Sequence, residues 1–338
     1  MKSLIVDQLK EYGMYVSSHV NQYLRSSPPS PYLHELILDY PSRGGKMMRP
    51  GICISTARAF GAQLEETIPF AASIELLHNA LLIHDDIQDE SEERRGRPTL
   101  HELHGVPLAI NAGDTLLMLA LGPMFQRCQQ YGSRIGQKIL DFTLRMAQET
   151  AEGQALDIGW RRDNRLDIDV ADYLKMVMKK TAWMSTIWPA QIGVLIGGKG
   201  RVDPDTITKF AFFLGTCFQI QDDLLNLIPN SGYGKEAMGD LYEGKKTLML
   251  IHLRQNSSPA EVEEIDLILS RSRTQRNEQD VRWLYEEMEA KGSLNYARTV
   301  AEALAGAALY EYSLAFEALP ASLDKEFMQA LPLWILNK

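Results

Sequence analysis

The sequence predicts an all-α protein built as one large helical bundle, and three observations carry that reading. Apolar residues recur at intervals of three and four along most of the chain, convincing alternating strands are absent, and one long segment is apolar on nearly every side. Ile5, Leu9, Tyr12, Val16 and Val20 set the first such stripe. The same period predicts helices over 2–25, 32–41, 48–61, 64–90, 107–130, 133–160, 170–197, 204–228, 246–255, 259–273, 277–290, 293–317 and 322–335. Thr67 to Ile87 has almost no polar face, which marks the central helix of the bundle.

With 338 residues, 45% of them apolar, the chain can bury one large core. The loop clusters Ser26 to Pro31, Pro229 to Gly234 and Asn256 to Pro259 are short helix connections rather than linkers, so one domain over 1–338 is expected. A net charge of −9 argues against a nucleic-acid partner, because phosphate backbones are held by clustered Lys and Arg. Anionic small molecules stay open, since a divalent cation on acidic side chains reverses the local sign of a site. Cys53, Cys128 and Cys217 lie in apolar stretches without CxxC spacing and read as thiols of a reducing compartment. The amino terminus has charges in every short apolar run, and the longest apolar span, Leu116 to Phe125, is broken by Gly122 and Pro123. A cytoplasmic protein with no membrane span is the expectation.

Function is concentrated where two apolar helices end in acid. Asp85-Asp86-Ile87-Gln88-Asp89 follows the apolar ALLIH, although acid at a helix C-terminus opposes the helix dipole and calls for a compensating cation. Asp85 and Asp89 are four apart and so share a helix face at roughly 5–6 Å, a spacing that suits carboxylates holding hard cations. Oxygen donors without Cys point to magnesium, with manganese as an alternative. Taken alone, such a run is more often a solvated helix end. A second copy, Asp222-Asp223-Leu224-Leu225-Asn226, again follows an apolar helix, and two such ends can face one cavity and clamp a diphosphate through several metals.

With these motifs the chain resembles the trans-isoprenyl diphosphate synthases of the polyprenyl synthetase family. The resemblance runs through GGKMMRP (44–50), ELLHNALLIHDDIQDESEERRGRPTLH (75–101), NAGD (111–114), GQALDIGWR (153–161), KKTA (179–182), FQIQDDLLN (218–226) and GKEAMGDLYEGKKT (234–247). It implies an all-α bundle of the isoprenoid synthase type with a central cavity, and one polyprenyl synthetase domain. Many members end the second motif in Asp where this chain has Asn226, a variant similar to that of eukaryotic-type geranylgeranyl diphosphate synthases, as is DIGWR.

The resemblance assigns the remaining residues. Three magnesium ions are expected on Asp85, Asp86, Asp89 and Asp222, with Asp85, Asp89, Asp222, Lys180 and Lys245 as the catalytic set. Lys46, Arg49, His78 and Arg95 are to hold isopentenyl diphosphate. Arg94, Lys180, Thr181, Gln219, Lys235 and Lys245 are to hold the allylic diphosphate, whether dimethylallyl, geranyl or farnesyl. On the residues alone, His78 reads better as a satisfied core histidine, the Arg94–Arg95 loop equally as a surface charge run, and the Lys235–Lys245 segment also as an ordinary mobile surface loop. Lys180 and Thr181 interrupt an apolar helix, where a charge is costly unless paired.

The implied reaction ionises the allylic carbon–oxygen bond and lets isopentenyl diphosphate attack the cation, which needs a dry, apolar tunnel. The tunnel wall is expected on the helix before Asp85, with Ala80 leaving room for chains beyond fifteen carbons. Leu76, Leu77 and Leu81 are further wall residues, and the stretch Leu116 to Leu119 and Trp183 stand as candidates opposite. An aromatic side chain at Ala80 should shorten the product. Geranylgeranyl diphosphate is the expected product, with farnesyl or longer chains as rivals. A terpene cyclase would not need GGKMMRP or the second arginine, and non-catalytic synthase subunits usually lose one acidic motif. A homodimer is expected, with the Leu- and Met-rich 107–130 helix as a candidate face.

Overall fold

A computed structural model describes residues 2–26, 28–228 and 238–337. The chain runs through α1 (Lys2–Leu24), α2 (His34–Ser42), α3 (Met48–Ala59) and α4 (Leu64–Gln88) to a short hairpin, β1 (Glu93–Arg94) and β2 (Arg97–Pro98). Then come α5 (Leu100–His104), α6 (Val106–Cys128), α7 (Ser133–Arg162), α8 (Val170–Val177), a π-helical segment Met178–Ile187 and α9 (Trp188–Gly197). The rest is α10 (Thr208–Asn226), α11 (Gly239–Glu243), α12 (Leu248–Gln255), α13 (Pro259–Ser270), α14 (Glu278–Ala290), α15 (Ser293–Phe316) and α16 (Leu323–Leu336).

As its sequence requires, α4 is central: it packs against α1, α3, α6 and α9, and buries Thr67, Phe70 to Leu77, Asn79, Ala80, Ile83 and Asp86. Its start is fixed by a capping box in which Glu66 accepts the Gln63 backbone N–H at 2.8 Å. The α1 stripe of Ile5, Leu9, Tyr12, Val16 and Val20 is buried in the same core, where each large apolar side chain contributes roughly 1.5–3 kcal/mol. That core is continuous from α1 to α16.

The helix predicted over 170–197 is not one α-helix, because its middle, Met178–Ile187, is wound as a π-helix. Two glycines explain how the wider turn fits. A Cβ on Gly153 of α7 would lie 2.1 Å from the Lys180 backbone nitrogen, and one on Gly215 of α10 would lie 2.8 Å from Ala182 Cα. The π segment therefore rests backbone to backbone on both neighbours, and π turns of this kind recur at functional sites. A further difference lies in α6, which continues through Gly122 and Pro123 and is the one described helix long and apolar enough to span a membrane, though its inner residues Ala109, Ala112, Leu116 and Ala120 are buried in the bundle. Its outer residues Val106, Ile110, Met118 and Phe125 are exposed.

Replacing Gly153 by Ala should force α7 and the π segment apart. The expected outcome is a loss of about 1–3 kcal/mol, read as a lower midpoint in chemical or thermal unfolding.

Candidate active site

The ends of α4 and α10 open onto one cavity of about 640 Å³, a size usual for a small-molecule site. Its polar part is lined by Asp85, Asp157, Asp222, Asp223 and Asp240 together with Arg49, His78, Arg94, Lys180 and Lys245. Its apolar part is lined by Leu77, Leu81, Leu117, Met146, Met184 and Phe218, with Ala147, Ala151 and Ala155 at four-residue intervals along α7. Small residues repeated on one helix face keep that wall back and give the cavity its width.

The first acidic motif divides. Asp85 faces the cavity, 3.7 Å from both Lys180 Nζ and Arg94 Nη2, and accepts from Gln154 Nε2 at 3.3 Å. Asp86 does not belong with a metal set. Its side chain is fully buried, accepting from Tyr40 Oη at 2.5 Å and from Arg94 Nε at 3.0 Å on each oxygen, so its lone pairs are committed to holding Arg94. A one-residue step turns a side chain by 100°, which is why neighbours in the motif point to different places. Asp89 caps α4 and is also buried outside the cavity lining, bonded by Arg161 Nη2 at 2.8 Å and Lys245 Nζ at 3.1 Å.

In the second motif Asp222 and Asp223 both line the cavity. Asp223 accepts from Tyr173 Oη at 2.7 Å and Gln219 Nε2 at 2.6 Å, while Thr181 donates to Gln219 Oε1 at 2.7 Å. Burial, reinforced by nearby Asp240, pushes the Asp223 carboxyl up to about 7. Asn226 is buried and accepts the Asp240 backbone N–H at 3.0 Å on its side-chain oxygen, while its carbonyl accepts Met238 N–H at 2.7 Å. It anchors α11, which carries Asp240 into the cavity wall.

The lysines are held by these acids. Lys180 Nζ lies 2.6 Å from Asp157, and Lys245 Nζ lies 2.6 Å from Glu243 and 3.1 Å from Asp240. Burial would lower both ammonium pKa values, but Asp157, Asp85 and Asp89 around Lys180, and Asp240, Asp89 and Glu243 around Lys245, outweigh it, so both stay charged. Lys235 lies outside the described residues.

The other cationic group gathers beside them. Arg49 Nη1 is 3.2 Å from His78 Nε2, and Arg49 Nη2 donates to Ser185 Oγ at 2.7 Å. Burial, with Arg49, Arg95 and Arg94 adding to it, depresses the His78 pKa well below its usual value, so the ring is neutral at pH 7 and can accept from Arg49. Burial also lowers Arg49 to about 10 against the pull of Glu75 and Asp222. Arg95 approaches through Gly45, where a Cβ would stand 2.9 Å from the Arg95 guanidinium. Lys46, next along, is exposed.

The tunnel assignment needs revision. Residues 77, 78, 81, 82, 84, 85 and 88 of α4 line the cavity, the three-and-four repeat of one helix face. Ala80 and Leu76 stand one position off that repeat and are fully buried in the core, as is Leu116; Trp183 is buried off the cavity, and Met118 is exposed. Leu77, Leu81 and Leu117 remain as wall. Residues unassigned from the sequence also appear here: Gln154, Asp157 and Arg161 of α7, and Tyr173. The signal for the three α7 residues was their polar spacing of three and four within GQALDIGWR; Tyr173 lies outside that motif and had none.

Among the described residues no three His, Cys, Asp or Glu side chains converge closely enough to form a metal cage by themselves. Carboxylates spread around one cavity mouth instead fit an ion such as Mg²⁺, which is bound by one or two carboxylates and completes its shell with water and substrate phosphate.

The profile of the family described as polyprenyl synthetase matches residues 30–288. Geranylgeranyl diphosphate synthase of Sulfolobus acidocaldarius is 37% identical over 243 residues, 71% of this chain and 73% of that protein. The solved geranylgeranyl pyrophosphate synthetase from Pyrococcus horikoshii matches with a TM-score of 0.85 and 27% identity, covering 99% of this chain and 98% of that one. A polyprenyl synthase from Caulobacter crescentus, solved with calcium and isoprenyl diphosphate, matches with a TM-score of 0.84 and 27% identity, covering 98% of each chain. The chain belongs to the polyprenyl synthetase family. It is an isoprenyl diphosphate synthase, a transferase of prenyl groups.

Asp86 and Asp85 should respond differently to mutation. Asp86→Ala leaves the buried Arg94 without its main partner and should cost about 3–5 kcal/mol in unfolding experiments. Asp85→Ala, at a partly exposed cavity position, should leave the unfolding midpoint nearly unchanged.

Proposed function

We propose that this enzyme couples an allylic diphosphate to isopentenyl diphosphate and releases geranylgeranyl diphosphate. One observation carries the reading: both acidic helix ends, two groups of cations and an apolar wall meet in a single cavity. The twenty-carbon product is supported by the name of the Sulfolobus acidocaldarius relative, a geranylgeranyl diphosphate synthase.

Asp85 and Asp222 would hold magnesium, with Asp89, one turn from Asp85, joining them by giving up its ion pairs with Arg161 and Lys245; three ions are expected and manganese is an alternative. The ions supply positive charge to the oxygens of the departing diphosphate. Lys180, Lys245 and Arg94 add fixed charge beside Asp85, and Thr181 and Gln219 add polar contacts for the allylic diphosphate, with Lys235 assigned to the same group. Arg49, His78, Arg95 and Lys46 hold isopentenyl diphosphate alongside, so the two reactants meet as one complex. The allylic carbon–oxygen bond breaks with its electron pair going to diphosphate; the isopentenyl double bond attacks the carbon, and the proton then lost passes to diphosphate. The leucines, methionines and alanines of the wall exclude water from the cation. The enzyme works in the cytoplasm as a homodimer, a reading supported by its three buried free thiols and by the exposed apolar outer face of α6.

Three outcomes test this. Asp85→Ala or Asp222→Ala should lower kcat by roughly 10²- to 10³-fold, the scale set by losing one electrostatic element of an active site, and excess chelator should abolish turnover; persistent elongation in either case overturns the reading. Without isopentenyl diphosphate no hydrocarbon should form, whereas a cyclase would release one. Leu77 lies about 12 Å along α4 from Asp85, some two helical turns. Leu77→Phe should therefore shift the product towards fifteen carbons and Leu77→Ala towards longer chains, as read by mass spectrometry with dimethylallyl, geranyl and farnesyl starters.

A further inference from the structure

Arg94 and Arg95 sit on a hairpin that cannot stand alone. Its ladder pairs only Glu93 with Pro98 and Arg94 with Arg97, and even a full isolated hairpin is marginal in water. The turn between the strands puts Arg95 at φ 55° and Gly96 at φ 71°. Gly96 adopts this without strain, but for a non-glycine residue such as Arg95 it is uncommon and needs outside support.

That support comes from the end of α2. The Arg43 side chain is 1% exposed and its guanidinium is shared among the hairpin's own carbonyls: Nη1 donates to Arg94 O at 3.0 Å and Arg97 O at 3.3 Å, and Nη2 donates to Pro98 O at 2.8 Å. Asp39 accepts from Arg43 Nε at 2.5 Å and from Arg97 Nη2 at 2.9 Å, tying helix and hairpin from the other side. The guanidinium stacks 4.6 Å from the Tyr40 ring centroid, and Tyr40 accepts from Arg95 Nη1 on its carbonyl at 3.4 Å while its hydroxyl holds Asp86. An arginine with a buried side chain that gives four of its five N–H donors to Asp39 and to three carbonyls of one short hairpin is spent on holding that hairpin rather than on a phosphate, so its role is mechanical.

We propose that Arg43 is a positioning residue that sets the Arg94–Arg95 hairpin, and through it the placement of Arg95 for isopentenyl diphosphate. This rests on the reading that Arg95 binds that substrate, and the experiment separates the two. Arg95→Met, Arg43→Met and the double variant are assayed for KM of isopentenyl diphosphate and for kcat, with circular dichroism as the folding control. Arg43→Lys, which keeps the charge facing Asp39 but loses the fork, is carried through the same cycle and replaces Arg43→Met if that variant does not fold. Both single variants should raise KM by about tenfold or more, and the double variant should be little worse than either, because an unplaced Arg95 has little left to lose. Unchanged KM in Arg95→Met sinks the site reading. A raised KM in Arg95→Met with no change in Arg43→Met or Arg43→Lys, or with effects that simply multiply, overturns the role of Arg43.

Discussion

Buried negative charge is the constraint around which the rest of this structure is arranged. Removing a carboxylate from water costs several kcal/mol unless an opposite charge or hydrogen-bond donor meets it closely. Asp86 is met by Arg94, Asp89 by Arg161 and Lys245, Asp157 by Lys180, and Asp223 by Tyr173 and Gln219. Apart from Gln219, one turn before Asp223 on α10, these donors come from a different part of the chain from their acids, so the pairs tie the hairpin, α7 and the residues after α11 to the end of α4, α8 to the end of α10, and the π segment to α7. The bundle closes around its acids as much as around its leucines.

The placement of Lys180 shows how far this reaches into the backbone. A lysine in an apolar helix has to emerge opposite a carboxylate, and here it emerges from a π turn that lies backbone to backbone on Gly153, one helical turn before Asp157. Glycine at 153 thus brings the Lys180 backbone to α7, and Asp157 on the same helix receives its ammonium at 2.6 Å. Packing and electrostatics are solved by one stretch of α7. Gln154 extends the stretch to α4 through its bonds to Asp85 and Gln88.

Most of the fold was legible in the sequence because apolar period determines helix existence directly, and the segments 2–25, 64–90, 133–160 and 293–317 correspond closely to α1, α4, α7 and α15. The π segment was not legible, since a widened turn leaves the apolar pattern almost unchanged and its cause, Gly153, lies on another helix. The site was legible as residue types but less so as directions. Asp85 and Asp89 keep the spacing of a shared face, yet chain reversal after Gln88 makes Asp89 a helix cap and takes it into ion pairs with Arg161 and Lys245. Ala80 was misplaced for a simpler reason: five residues from Asp85 is not a multiple of the helical repeat, whereas four and eight, at Leu81 and Leu77, nearly are.

Asn226 illustrates what a neutral residue does in an acidic motif. Its oxygen accepts the backbone N–H of Asp240 and its carbonyl that of Met238, so both of its acceptors hold the entry to α11. A carboxylate could accept the same bonds, but it would add charge beside Asp223, whose carboxyl burial and Asp240 already push up to about 7. With the Asp223 carboxyl already difficult to keep ionised, an amide gives the anchor without the repulsion. Asn226 thus places Asp240 and, through the turn that follows, Lys245 without adding a charge beside Asp223.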